Sequence, residues 1–245
     1  MSGPISEGYG PRMSTPPENK VDPKLPSMQP KRLTGNGQAK VIASSSKLGV
    51  AALELNLDLP CHEYMKALLA HKLRTDAIKF IAAWLPPRDA LWFGCLGVWQ
   101  VDRLSAQPGF KGMGSMVVNY ITAPTLEGLS NFGNPKDATR ANSPLGLLCQ
   151  AVIYSGNNLC PYPKKIIKPD ASLVGKTIAN ALILAATKWP GKDRNACLEQ
   201  FIDMGLDIAE GKHLWGPNPG QNYPGLRQAT NTGQMFGKTR NIWED

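Results

Sequence analysis

The sequence predicts an all-α protein, in which short helices form a compact bundle or an α-solenoid-like stack between extended or disordered tails. Apolar residues recur at spacings of three and four along the middle of the 245-residue chain, as they do on the buried faces of helices. Proline and glycine are frequent at both ends, where apolar clusters are scarce. We expect three regions: an N-terminal extension over residues 1–50, a helical domain over 51–215 and a C-terminal tail over 216–245.

The N-terminal extension is predicted to have no core of its own. Its prolines between positions 4 and 30 are Pro4, Pro11, Pro16, Pro17, Pro23, Pro26 and Pro30. A segment with so few apolar residues cannot bury enough surface to offset the entropy of ordering its backbone. We therefore expect an extended or disordered conformation here.

Three helices are predicted at the start of the domain. The first covers residues 60–71, and the second covers 76–85 with Thr75 as its N-cap. The adjacent prolines 86 and 87 end the second helix and begin a third, over residues 87–103. The third helix is apolar nearly all round, which is typical of a central, buried helix.

The next stretch contains one ambiguous element and one clear helix. Residues 113–121 fit either a helix or a β-strand, because the periodicity of their apolar side chains does not separate the two. Residues 126–141 are polar and are predicted to form a loop. Ser143, followed by a proline, predicts the start of a helix that reaches about Tyr154.

Two more helices are predicted to complete the domain after a basic, proline-bounded linker over residues 160–169. One runs to about Trp189 and is capped by Asp170 or Ser172. The other covers residues 192–209 and ends before Gly211, since glycine is favoured just after a helix.

The C-terminal tail differs from a simple linker because apolar residues are spaced along it. They are Tyr223, Leu226, Met235, Phe236, Ile242 and Trp243. Isolated apolar residues in a Gly/Pro-rich segment suit a chain that becomes ordered on a protein partner. The same residues suit a tail that packs back on its own domain, and the sequence leaves both readings open.

Composition limits the classes of partner and compartment. The net charge is +8, and such a balance suits nucleic acid, acidic lipid or an acidic protein surface. The five cysteines form no Cys-x-x-Cys pair, which favours buried free thiols in a reducing compartment. No signal peptide and no apolar run of about 20 residues is visible, so we expect a cytoplasmic protein.

Sequence features that resemble catalytic or ligand sites are incomplete. Residues 175–177 read Gly-Lys-Thr, but the earlier glycine of a phosphate-binding loop is missing. His62 and His71 are too far apart to lie on one helix face as metal ligands. Asp203 and Asp207, at i and i+4, are expected to form an ordinary exposed helix face. We therefore expect no catalytic residue, no cofactor and no metal site, and the protein is predicted not to be an enzyme.

Arg88, in the first turn of the third predicted helix, has two possible roles. Its guanidinium is expected either to pair with a buried carboxylate such as Asp76 or to lie at a binding surface. The aromatic residues around it are expected to be core rather than a ligand cage.

Residues 85–92 read Leu-Pro-Pro-Arg-Asp-Ala-Leu-Trp, residues 154–159 contain Ser-Gly, and residues 204–211 contain Gly-Leu-Asp-Ile-Ala. With these motifs, the chain from about residue 55 to about residue 215 resembles an uncharacterised family of bacterial helical domains with a Leu-Pro-x-Arg-x-Ala-x-Trp signature. Phe93 and Gly94 depart from the Trp-Ala that usually follows. The resemblance implies an association with type VI secretion or contractile-injection gene clusters, and it carries over no catalytic residue.

Together these features predict a non-enzymatic adaptor or structural accessory protein of a contractile secretion or injection apparatus. The helical platform, the six apolar tail residues and Arg88 are the expected contacts with partner proteins. A basic nucleic-acid-binding module is the alternative, for which residues 164–168 are the candidate segment. An unrecognised hydrolase or secreted toxin is a third reading, and it would need a convergent polar pocket.

Overall fold

The computed structural model describes residues 38–102, 112–132, 143–156, 167–190 and 193–211, and these residues form α-helices and no β-strand. The helices are α1 (Ala39–Ser46), α2 (Val50–Leu53), α3 (Cys61–Ala70), α4 (Arg74–Trp84), α5 (Pro87–Asp102), α6 (Met113–Thr122), α7 (Leu126–Ser130), α8 (Pro144–Tyr154), α9 (Ser172–Thr187) and α10 (Arg194–Ala209). The predicted all-α bundle of short helices is confirmed. None of these helices is both long and apolar enough to cross a bilayer.

Helices α5 and α9 lie side by side at the centre of the bundle. Helix α9 packs against α4, α5 and α8, and α10 covers α4 and α5. Trp92 and Phe93 of α5 are at most 2 % exposed, and Ile178 and Leu182 of α9 are fully buried. The prediction that α5 is central is therefore confirmed, and its aromatic residues belong to the core.

The close approach of α4 and α9 depends on Gly175. A Cβ atom built on this glycine would lie 2.7 Å from the carbonyl oxygen of Ala82 and 3.0 Å from the Cα atom of Ala83. These neighbours are backbone atoms, which cannot swing aside as a flexible side chain can. The two helices therefore pack at a distance that only glycine permits.

Side-chain hydrogen bonds and one glycine mark several of the later helix ends. The Ser143 side chain accepts a hydrogen bond from the Gly146 amide at the start of α8, and the Asp193 side chain does the same for Asn195 at the start of α10. The N-cap of α9 is Ala171, so the prediction of Asp170 or Ser172 as its cap is wrong, although the Asp170 side chain does accept from the amide of Ser172. Gly211 has a φ of 79°, the left-handed conformation that ends a helix after α10.

Other boundaries differ from the predictions. The N-cap prediction for Thr75 is wrong, because α4 begins one residue earlier, at Arg74, with Leu73 as its N-cap. The loop predicted over residues 126–141 begins instead with α7, whose N-cap Thr125 accepts from the Gly128 amide. The ambiguous residues 113–121 are helical, as α6.

The helical domain also begins earlier than residue 51. Helix α1 packs against α4 and α9. Its small side chains make this possible, since Ala39 is fully buried and Ala43 is 4 % exposed. The predicted extension therefore overlaps the folded domain from residue 39 onwards.

Candidate protein-binding site

Three exposed apolar side chains lie on the first two helices of the described chain. Val41 of α1 is 67 % exposed, and Val50 and Leu53 of α2 are 74 % and 45 % exposed. A single exposed apolar residue is ordinary. Here three of them occur between positions 41 and 53, on two helices that are fixed to the core. We call Val41, Val50 and Leu53 the α1–α2 surface.

Two hydrogen bonds, one of them fully buried, hold the α1–α2 surface in place. The amide of Gly49, just before α2, donates to Oδ1 of Asp76 at 2.9 Å. Inside α2, the carbonyl of Ala52 accepts from the hydroxyl of Tyr64 at 2.6 Å, and both residues are fully buried. Burial, and after it the charge of Asp76, raises the pKa of Tyr64, so its hydroxyl stays protonated and remains a donor.

Backbone pairing fixes α1 in the same way. The amides of Ala39 and Lys40 donate to the carbonyls of Leu59 and Leu57, each at 3.0 Å. Because α1 and α2 are tied to α3, α4 and the segment before α3, their outward side chains are presented by a supported framework. A partner that contacts them would not have to order them first.

The sequence reasoning missed this surface because a serine tract follows Val41 and resembles a linker. The hydroxyls of Ser44, Ser45 and Ser46 donate to the carbonyls three residues before them, at 2.8, 2.9 and 3.2 Å. Serines bonded in this way suit the last turn of a helix as well as they suit a linker. The apolar run from Val50 to Leu53 was the available signal, and at four residues it is too short to establish periodicity.

Arg88 joins α5 to the end of α6. Its Nε donates to the carbonyl of Ile121 at 2.6 Å, and its Nη2 donates to the carbonyl of Thr122 at 3.1 Å. These carbonyls lie in the last turn of α6, where a positive charge also complements the helix dipole. Burial lowers the pKa of Arg88 to about 10 although Asp89 opposes this, and the side chain stays charged at neutral pH.

Asp76, the carboxylate suggested as an ion-pair partner for Arg88, has other partners. Asp76 accepts from the Gly49 amide and pairs with the ammonium group of Lys79 at 2.9 Å. Arg88 therefore has a structural role at the α5–α6 junction, and its contact with a partner stays a prediction.

Asp89, the neighbour of Arg88, is a buried carboxylate whose Oδ1 has no hydrogen-bond partner. The residue is only 4 % exposed. Loss of solvation raises its pKa to about 6, and the nearby charge of Arg88 limits the rise. At neutral pH the fold therefore holds a largely ionised group under conditions that disfavour its charge.

Two hydroxyl groups, those of Tyr120 and Ser155, also lie near the junction that Arg88 occupies. The hydroxyls of Tyr120 and Ser155 lie 3.2 Å apart, and Ser155 also donates to the carbonyl of Val152. Burial raises the pKa of Tyr120, while the bond to Ser155 and the charge of Arg88 limit the rise. These contacts join α6 to the C-terminal end of α8, so the side chains serve helix packing.

The other predicted candidates are placed as follows. Gly175 of the Gly-Lys-Thr sequence faces the α4 backbone and Thr177 is 7 % exposed, so this segment is a helix interior. The Nδ1 atom of the exposed His71 lies 2.9 Å from the carbonyl of Ala67 in its own helix. Asp203 is exposed. Its pKa is raised, first by partial loss of solvation of the carboxylate and then by the negative charges of Asp207 and Glu199.

The described ranges contain no group of three or more His, Cys, Asp or Glu side chains able to hold a metal ion. All six apolar tail residues lie outside the described ranges, as do Lys164 and Lys165 of the basic linker.

Comparison with known proteins gives one match. Residues 64–209 match a family model described as Family of unknown function (DUF6931). No curated protein and no solved structure matches the chain. The matched span begins within α3 and ends with the last residue of α10, whereas the α1–α2 surface precedes it.

Proposed function

This chain belongs to a family of unknown function, DUF6931, and we propose that it is a non-enzymatic adaptor that binds partner proteins through its helical domain and tails. The partners in this proposal are components or cargo of a contractile secretion apparatus, the association that the sequence resemblance implies. The observation that carries the adaptor role is the α1–α2 surface.

The α1–α2 surface favours protein binding for two physical reasons. Burying Val50 and Leu53 against a partner would remove apolar area that is now in contact with water. Their helix is already fixed by the bonds to Asp76 and Tyr64, so little conformational entropy is lost on contact.

The experiment compares proteins that are cross-linked to the full-length chain in its native cells and identified by mass spectrometry. The test variant carries Val50→Asp and Leu53→Asp. The matched control is Leu126→Asp, because Leu126 on α7 is 55 % exposed and receives the same chemical change away from the surface. Exposed substitutions of this kind should change the free energy of unfolding by no more than about 0.5 kcal/mol.

We expect the wild type and Leu126→Asp to recover the same specific partner and the double variant to lose it. A chain that ends at Trp215 tests the tail residues separately. Equal recovery by all four proteins would refute binding through both the surface and the tail.

The same experiment tests the nucleic-acid alternative. A nucleic-acid-binding module would lose its partners after nuclease treatment and would bind DNA or RNA with an affinity that falls steeply with salt. A protein adaptor would keep its partner after nuclease treatment.

A further inference from the structure

The N-terminal end of α4 lies between the α1–α2 surface and α10. Arg74, the first residue of α4, pairs with Glu199 of α10, and its Nη2 lies 2.6 Å from Oε1. Two residues further on, the Asp76 carboxylate accepts at 2.9 Å from the amide of Gly49, the N-cap of α2. Glu199 and the start of α2 are therefore held by the same turn of α4.

Helix α10 carries the chain away from this turn. A Cβ atom on Gly205 would lie 2.7 Å from Cγ2 of Ile81, so α10 and α4 run side by side in the same direction from the Arg74–Glu199 pair. Gly211, just after α10, lies about 18 Å from Glu199 along the helix axis, at about 1.5 Å per residue. The C-terminal tail follows from this far end.

The tail is long enough to return to α2. An extended chain covers about 3.3 Å per residue, so the chain from Gly211 to Tyr223 can span about 40 Å. That span exceeds the distance back to Glu199 by about 20 Å. All six apolar residues of the tail can therefore reach Val50 and Leu53.

The way back along α10 is acidic, whereas the chain after α10 is basic. Glu199, Asp203 and Asp207 recur at every fourth position and so lie on one face of the helix. Glu210, the C-cap, continues this acidic face into the last turn, where the helix dipole adds negative potential. The basic residues after position 211 are Lys212, Arg227, Lys238 and Arg240, and the acidic ones are Glu244 and Asp245. The two charge patterns are complementary.

Val50 and Leu53 suit a tethered segment better than a second copy of the chain. They are three positions apart on α2 and so lie on one face. Two such side chains supply far less than the roughly 800 Å² per partner that a stable interface between separate molecules buries. A tethered segment is present at a roughly millimolar effective concentration, so a weak contact is enough to hold it in place.

We propose that the C-terminal tail turns back along the acidic face of α10 and that its apolar residues cover Val50 and Leu53 when no partner is bound. The assigned occupant is residues 235–243, which contain four of the six apolar tail residues and two of the basic ones. A partner of the α1–α2 surface would have to displace this segment. That consequence rests on the proposed function, whereas the contact itself does not.

The test places the photo-cross-linking amino acid p-benzoylphenylalanine in the full chain in place of Phe236. After irradiation of the purified protein, mass spectrometry identifies the residues that are joined to position 236. The test variant carries Val50→Asp and Leu53→Asp, and the matched control is Leu126→Asp on α7. Far-UV circular dichroism checks that each variant is folded.

We expect cross-links within one chain to residues 50–54, at equal yield in the wild type and in Leu126→Asp. The yield should be at least about tenfold lower in the double variant, because burial of one Val or Leu side chain strengthens a contact by about that factor. Dimers whose yield rises with concentration, cross-links to other parts of the domain, or an undiminished yield in the double variant would overturn the proposal. Because the purified protein has no partner, such a failure leaves the adaptor proposal to the experiment in cells.

A second measurement tests the path along α10. Asp203→Arg reverses an exposed charge in the middle of the acidic face, and Glu127→Arg makes the same change on α7 as a control. At low salt the cross-link yield should fall about two- to fivefold in Asp203→Arg, as expected for exposed charge pairs, and stay unchanged in Glu127→Arg. The difference should disappear at about 1 M salt, where exposed charges are screened. Equal yields from the two variants at low salt would exclude the acidic face as the path of the tail.

Discussion

Replacing Asp89 with Asn should stabilise this protein at neutral pH. The residue is 4 % exposed, and the Oδ1 atom of its carboxylate has lost water without gaining a hydrogen bond in return. An amide of nearly the same shape carries no charge and avoids most of that cost. Few substitutions of a buried polar residue stabilise a protein, so a stabilising effect of Asp89→Asn would be informative.

The size of the effect follows from the pKa of Asp89. Its pKa is raised from about 3.9 in an unfolded chain to about 6 in the folded protein. A pKa change of one corresponds to about 1.36 kcal/mol of free energy. The ionised carboxylate therefore opposes folding by about 3 kcal/mol. Well below pH 4 the group is protonated in both states and the penalty is absent, and at pH 4 it is only about 0.5 kcal/mol. The penalty grows as the pH rises from 4 to 6 and is complete above the folded pKa.

The assay is urea unfolding followed by far-UV circular dichroism, at several pH values from 4 to 8 and constant ionic strength. The free energy gained by Asp89→Asn should be about 0.5 kcal/mol at pH 4 and about 3 kcal/mol at pH 8. Asp58→Asn is the control, because Asp58 is exposed and its substitution should change stability by no more than about 0.5 kcal/mol. A gain that does not depend on pH, or a loss of stability at pH 7, would refute the description of Asp89 as a buried charge that opposes folding.

Three further substitutions test the helix contacts by urea unfolding. Gly175→Ala should cost about 1–3 kcal/mol because its methyl group meets the Ala82 carbonyl at 2.7 Å, whereas Gly112→Ala meets nothing within 4 Å and should change little. Arg88→Met keeps an apolar stem but leaves the Ile121 and Thr122 carbonyls without this donor, and should cost about 2 kcal/mol. Tyr64→Phe removes the bond to Ala52 and should cost about 1–2 kcal/mol. In Tyr64→Phe, amide hydrogen exchange should become faster in α2 than it is in the wild type, and the change should be larger than in α9. An equal change in both helices would contradict the predicted local effect.

The helix boundaries that were predicted correctly are those with a local chemical signal. Ser143 supplies its own cap acceptor, and the prolines at 86 and 87 restrict the backbone at their own positions. Helix α6 has no such signal. Its β-branched Val117 and Val118 suit either a helix or a strand, and the choice is made by burial of Val117 and Tyr120 against neighbouring helices.

The candidate sites were harder to predict because their parts are distant in sequence. The carbonyls that Arg88 binds lie 33 and 34 positions away, and Asp76 lies 27 positions from the Gly49 amide that it binds. No periodicity within one helix encodes such pairs, since they depend on which helices become neighbours. The sequence therefore offered a buried carboxylate or a binding surface as the environment of Arg88, and it did not predict the carbonyls of α6.

The α1–α2 surface lies before the span that matches the family model, whereas the residues that support it lie within that span. The matched residues 64–209 include α4, α5 and α9 and thus the centre of the core, while Val41, Val50 and Leu53 precede them. Yet the supports of that surface, the hydroxyl of Tyr64 and the carboxylate of Asp76, lie inside the matched span. Under the adaptor proposal, changing Val50 and Leu53 should therefore alter partner binding without altering stability, whereas changing Tyr64 should weaken both.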